Sequence, residues 1–152
     1  MDDQTITLES LQKSANEFFV KHWKIDLGDP PVWNDTWGLI GSMPGHDSQG
    51  IYALLSSHNS VLYVGVGASL GGGIYTGHGL GARIKNYVRV GGKDAETTYL
   101  PKGEWAERGL AKIVTLSFEQ EYAYLAYALE AYLLREFSPP FNKIRSARVH
   151  NT

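Results

Sequence analysis

The chain has 152 residues, the size of one ordinary domain, with 43% hydrophobic residues and four Trp, nine Tyr and five Phe, which excludes a disordered chain. It holds no cysteine, so disulfides, thiolate metal sites and thiol catalysis are excluded. The formal net charge of −2 lacks the basic excess of a typical nucleic-acid binder, no apolar run reaches the length of a membrane span, and the acidic start at Met1-Asp2-Asp3-Gln4 is no signal peptide, so a cytoplasmic protein is expected.

Charge is unevenly spread along the chain. Residues 2–50 carry Asp2, Asp3, Glu9, Glu17, Asp26, Asp29, Asp35 and Asp47 against Lys13, Lys21 and Lys24. Residues 83–93 carry Arg83, Lys85, Arg89 and Lys93 without an acid, and the last ten residues carry Lys143, Arg145 and Arg148. Two basic patches behind an acidic front leave room for a local phosphate-binding face.

In chain order, residues 7–24 read as an amphipathic helix. Thr7 is the N-cap, Glu9 sits in the first turn, and Leu8, Leu11, Ala15, Phe18, Phe19 and Trp23 recur at helical spacing. Gly28, Pro30 and Pro31 break the pattern. Residues 32–49 are irregular, and Trp33 and Trp37 are expected to cover one edge of the core; a pair exposed for base stacking is the alternative. Two short strands follow, residues 50–55 and 61–65, around a turn at Ser56-Ser57-His58-Asn59-Ser60, and each strand places a tyrosine beside a glycine.

A glycine-rich connection then runs from Gly65 to Gly81. Its Gly77-His78-Gly79-Leu80-Gly81-Ala82 fits G-x-G-x-x-A, but no strand leads into it and no βαβ unit surrounds it, so a dinucleotide site is not the reading. Leu80, Ile84 and Val88 at i, i+4 and i+8 predict a helix over 80–90 ended by Gly91-Gly92, with Arg83 and Tyr87 one turn apart on one side. Residues 93–109 read as a polar surface excursion around Trp105. Residues 111–116 read as a third strand, Ser117 as the cap of a long helix over about 118–137, and Ser138-Pro139-Pro140 as its stop.

That long helix contains an anomaly. On a helical wheel the nearest neighbours of Glu130 are Ala123, Ala126, Tyr127, Leu133, Leu134 and Phe137, while Glu121, Arg135 and Glu136 lie on the other side. A carboxylate on a core-facing stripe costs several kcal/mol unless it is paired or metal-bound. An ion pair with Arg83 or an edge position is one reading; a metal ligand or catalytic acid is the other. Phosphoryl transfer would use all of these groups: an arginine fork for the phosphate oxygens, a carboxylate for a metal ion, and a tyrosine whose pKa is lowered by Arg⁺ and metal to take a proton from water.

The residues in this order resemble the GIY-YIG nuclease domain. Gly50-Ile51-Tyr52 matches the first triplet and Tyr63-Val64-Gly65 the second, with Val in place of Ile. Arg83 with Tyr87 resembles the family's arginine helix, Glu130 in Ala128-Leu129-Glu130-Ala131-Tyr132 its glutamate, and Asn142 in Pro139-Pro140-Phe141-Asn142 its closing asparagine. The resemblance implies an α+β fold with a small three-stranded antiparallel sheet flanked by helices, here with an N-terminal helical extension. It divides the chain into an extension over 1–49, a nuclease-like domain over 50–145 and a basic tail over 146–152.

It also implies hydrolysis of DNA phosphodiesters with Mg²⁺ or Mn²⁺. Tyr52 would be the general base, Tyr63 would position water or phosphate, Arg83 would hold the scissile phosphate, Tyr87 would hydrogen-bond nearby, and Glu130 would be the metal ligand. Asn142 would tie the tail to the site. Val66 stands where the family often has lysine, and Lys85 or His78 are the candidates to supply that charge toward substrate. The loop triplet Gly73-Ile74-Tyr75 is not the first motif, because no strand with Tyr-x-Gly follows it. The alternative function is a nuclease-fold module that binds nucleic acid or a protein partner without cutting. DNA is the expected partner, a membrane is not, and the apolar N-terminal helix offers a surface for a homodimer.

Overall fold

A computed structural model of the chain describes residues 5–68 and 79–142. Helix α1 spans Leu8–His22 and begins at a capping box, in which the Thr7 hydroxyl accepts from the Ser10 amide and the Ser10 hydroxyl accepts from the Thr7 amide. Leu8, Leu11, Ala15, Phe18 and Phe19 form its buried stripe, as the helical spacing predicts. Val20, Ile25 and Val32 stay exposed on and after its outer side.

Strands β1 (Gln49–Leu55) and β2 (Val61–Gly67) form the expected antiparallel hairpin, with Asn59 in the left-handed conformation that asparagine tolerates in turns. They join a later strand in a three-stranded antiparallel sheet of order β2-β1-β5, where β5 is Lys112–Phe118 and β3 and β4 form a separate hairpin described below. Every residue of β1 is buried, because both faces of the sheet are covered. Ile51, Ala53, Leu55, Val64, Val66, Val114 and Leu116 face one layer, made by α1 and by helix α4 (Leu125–Glu136). Tyr52, Leu54, Leu62 and Ile113 face the other, made by helix α2 (Leu80–Ile84), Tyr87, Val88, Trp105 and Trp37. The architecture is α+β, as expected.

Three local expectations are corrected. The helix predicted over 80–90 stops at Ile84. Asn86 and Tyr87 close turns onto Arg83 and Ile84, and strand β3 (Val88–Lys93) begins. The Tyr87-Val88-Arg89-Val90 run is β-branched and aromatic, and pairing with β4 (Thr97–Pro101) outcompetes a further helical turn. Gly91-Gly92 lies at a register shift of this pair rather than at a helix end. The polar stretch of 93–109 therefore contains a strand and a one-turn helix, α3 (Glu104–Glu107), whose Trp105 is buried. Finally, Ser117 is no cap: β5 runs on through Phe118, which packs into the α1–α4 layer, and α4 starts at Leu125 after a 3₁₀ turn at Gln120–Tyr122.

The irregular segment before β1 has a definite place. Trp33 and Trp37 bridge to Leu116 and Ile113 along the outer edge of β5, and Ile40 bridges to Thr98 on β4. The segment thus covers a sheet edge and links the two sheets by backbone hydrogen bonds, which hides an otherwise sticky strand. The expected edge-covering role of the two tryptophans is met. No described helix is long and apolar enough to cross a membrane.

Candidate active site

The site is built around two glycines of the hairpin. In register, Tyr52 of β1 lies opposite Gly65 of β2, and Leu54 opposite Tyr63. The two tyrosines are therefore diagonal neighbours on one face, not directly opposed, with ring centroids 6.3 Å apart. A Cβ on Gly65 would collide with the Tyr52 hydroxyl, so the ring of Tyr52 lies across the bare backbone of β2. A Cβ on Gly50 would strike the Leu116 carbonyl oxygen of β5. Only glycine permits both close approaches, which gives the glycine of each triplet a physical reason.

On this face the Tyr52 and Tyr87 hydroxyls share a hydrogen bond of 2.5 Å. The ring of Tyr87 lies 5.6 Å from that of Tyr52 and 6.0 Å from that of Tyr63, so the three phenols form one cluster. Tyr87 reaches it from the turn after α2 and not from the helix, and so faces inward while Arg83 remains exposed at the rim. Arg83 lies close enough for its charge to favour ionisation of both Tyr52 and Tyr87.

Burial sets the net effect on the phenols. Burial pushes Tyr52 well above its ordinary pKa, and its tyrosine neighbours add to this; Arg83 only offsets part of it. Tyr87 is pushed up to about 12, again chiefly by burial. Both are neutral at pH 7: desolvation outweighs the one Arg83 guanidinium at the surface.

Residues that the sequence reading assigned elsewhere complete the wall. Trp105 packs edge-on against Tyr63 at 5.9 Å and Tyr87 at 5.3 Å, and Phe141 packs against Trp105 at 5.7 Å. The Arg108 guanidinium covers Trp105 and Phe141 at 4.5 and 4.3 Å. The signal was a lone tryptophan in a charged stretch, a residue whose size favours burial.

Asn142 is 3% exposed and clamps the outer edge of β2: its side-chain oxygen accepts from the Val64 amide at 2.9 Å and its amide donates to the Val64 carbonyl at 3.0 Å. Its expected role narrows to tying the closing segment to the site strand. Lys85 is exposed at the end of α2. His78 lies outside the described residues. Val66 is 8% exposed and points into the α1–α4 layer, so its position adds no charge to the tyrosine face.

Glu130 is 7% exposed on α4, among the apolar neighbours that the wheel predicted. It lies on the buried face of α4, one turn beyond Tyr127, whose hydroxyl donates to the Ala68 carbonyl just past β2. The described residues contain no group of three or more His, Asp or Glu able to hold a metal among themselves. One buried carboxylate is nonetheless the donor type that Mg²⁺ uses, with waters and substrate phosphate oxygens filling its other positions. No family model matches this chain, and neither does a curated protein or a solved structure.

Proposed function

We propose that the protein is a metal-dependent endonuclease of GIY-YIG type that hydrolyses DNA phosphodiester bonds. The observation that carries the reading is the hydroxyl pair of Tyr52 and Tyr87, with Tyr52 seated over Gly65 and the Arg83 charge acting on both phenols. Arg83, exposed at the rim, engages a non-bridging oxygen of the scissile phosphate and stabilises the charge that develops there. Glu130, which the resemblance makes the metal ligand, would hold Mg²⁺ or Mn²⁺, and the ion would supply further neutralisation of the phosphate charge.

The raised phenols define how Tyr52 acts as base. A standing tyrosinate is disfavoured, so Tyr52 accepts the proton of the attacking water as it passes its own to Tyr87. Tyr87 in the same motion releases its own hydroxyl proton to solvent on the half-exposed Tyr63 side of the cluster, so both phenols end neutral. The water oxygen bonds to phosphorus, the bond to the leaving oxygen breaks, and that oxygen takes a proton from solvent. The second reading, a nuclease-fold module that binds nucleic acid or a protein partner without cutting, is favoured by the same neutral phenols, and within it the net charge of −2 favours the protein partner.

Cleavage of supercoiled and branched DNA with Mg²⁺ or Mn²⁺ decides between them. Arg83→Ala, Tyr52→Phe and Glu130→Ala should each lower the rate by about 100-fold or more with the fold retained by circular dichroism. Wild-type cutting by Arg83→Ala and Glu130→Ala would sink the site assignment. Binding by the wild type with no cutting of any form would leave the binding module.

A further inference from the structure

Beside the tyrosine cluster lies a groove of about 530 Å³ that the proposed chemistry does not use. It runs between the end of α2, strands β3 and β4, and the segment before β1. Its floor is apolar and aromatic, with Met43, Val88 and the half-buried Tyr99. Its rim carries Lys85, Arg89 and Lys102, all exposed, and no carboxylate lines it among the described residues. Lys102 is held in place by donating to the Lys85 carbonyl at 2.6 Å, which fixes its ammonium at the end of α2. Arg83 sits in that same helix, two residues before Lys85.

This combination departs from the rest of the surface. The chain is net acidic, yet here three cations surround an apolar floor that holds the Tyr99 ring, without a compensating acid among the lining residues. Cations above a π-surface fit a ligand with anionic links and planar apolar faces, which describes a nucleic-acid strand with an unpaired base. A paired base would keep its faces in the stack and leave Tyr99 unused.

We propose that this groove is a nucleotide subsite that seats an unpaired base on Tyr99, flanked by phosphates on Lys85 and Arg89. It rests on the nuclease reading for its orientation: the strand whose scissile phosphate meets Arg83 continues past the end of α2 into the groove. The preferred substrate is then DNA with single-stranded character next to the cut, such as a flap, a bubble or a branch.

The test is fluorescence anisotropy with a labelled single-stranded 12-mer and a blunt duplex, in chelator so that nothing is cut. Wild type should bind the single strand more tightly than the duplex. Tyr99→Ala should weaken single-strand binding by about 5- to 100-fold, as expected for loss of one base stack. Lys85→Gln with Arg89→Gln should lower the dependence of log K on log salt by about 1.4, at roughly 0.7 for each phosphate no longer neutralised. Thermal melting of each variant checks that the fold is retained, and Lys13→Gln with Lys21→Gln on α1 is the control for charge alone.

Equal binding of the two probes, or single-strand affinity unchanged in a folded Tyr99→Ala, would overturn the subsite. If the groove variants bind like wild type while Arg83→Ala abolishes cleavage, the subsite fails and the nuclease reading stands. If the groove variants lose binding as expected while no DNA is cut by wild type, the subsite stands and the nuclease reading fails.

Discussion

Tyr52 and Tyr87 are the residues on which both stability and chemistry turn. Their hydroxyls are each other's partners inside an apolar wall, at 2% and 8% residue exposure. Replacing Tyr87 by Phe leaves the Tyr52 hydroxyl without that partner, which should cost about 1–3 kcal/mol at pH 7. The alkaline behaviour follows from the direction of the shifts. The folded protein holds both protons more tightly than the unfolded chain, whose phenols titrate near pH 10. Their contribution to stability is therefore complete below about pH 10 and is lost as pH rises from there, through about 12 for Tyr87. Urea midpoints measured from pH 9 to 11.5 should fall for the wild type and fall less steeply for Tyr87→Phe. Parallel curves would mean that the pair does not hold its protons in this way.

At the level of elements, Asn142 links the end of the chain to the site strand. Both of its polar groups are spent on the Val64 backbone, and the Phe141 amide donates to the Leu62 carbonyl, so residues 141–142 act as a short cover for the free edge of β2. Asn142→Ala leaves a buried N–H and a buried C=O without partners, at about 1–3 kcal/mol each before relaxation. Hydrogen exchange should quicken at the Val64 amide, which points to Asn142, while the Ala53 amide in the middle of the sheet keeps its protection. Unchanged exchange at Val64 would show that the clamp is idle. The elements that sequence made legible are those with one dominant local signal: the capped stripe of α1, the hairpin with its polar turn, and the inward Glu130 on α4. The stripe Leu80, Ile84 and Val88 was misleading because all three do reach one core, the first two from a helix and the third from a strand. Helical spacing cannot separate that from one longer helix. The inward Tyr87 and the Trp105 wall depend on the β3–β4 hairpin, which has a glycine-tolerated register shift and is tied to the rest by the Ile40 bridge to Thr98 from far earlier in the chain. The raised phenols were hidden for the same reason, since burial is a property of the packed molecule.

For the whole molecule, the decisive relation is between residues 1–48 and the sheet. Sequence resemblance places the nuclease-like domain from Gly50 onward, yet α1 supplies Leu11, Phe18 and Phe19 to one core layer, and the following segment supplies Trp37, Leu39 and Met43 to the other. At about 1.5–3 kcal/mol for each large apolar side chain buried, these six contribute on the order of 9–18 kcal/mol as an upper estimate. That equals or exceeds the roughly 5–15 kcal/mol net stability of a typical domain. The same segment covers the β5 edge through Trp33 and Trp37 and continues to β4, so its removal would also open a strand to intermolecular pairing. A chain beginning at residue 49 should therefore lack a cooperative thermal transition and aggregate, although it retains Tyr52, Tyr63, Arg83, Tyr87 and Glu130. A peptide of residues 1–48 added in trans should restore the near-ultraviolet signal of the buried aromatics in proportion to its concentration. A sharp calorimetric transition in the truncated chain alone would show instead that the sheet carries its own core, with α1 and the bridging segment only resting on it.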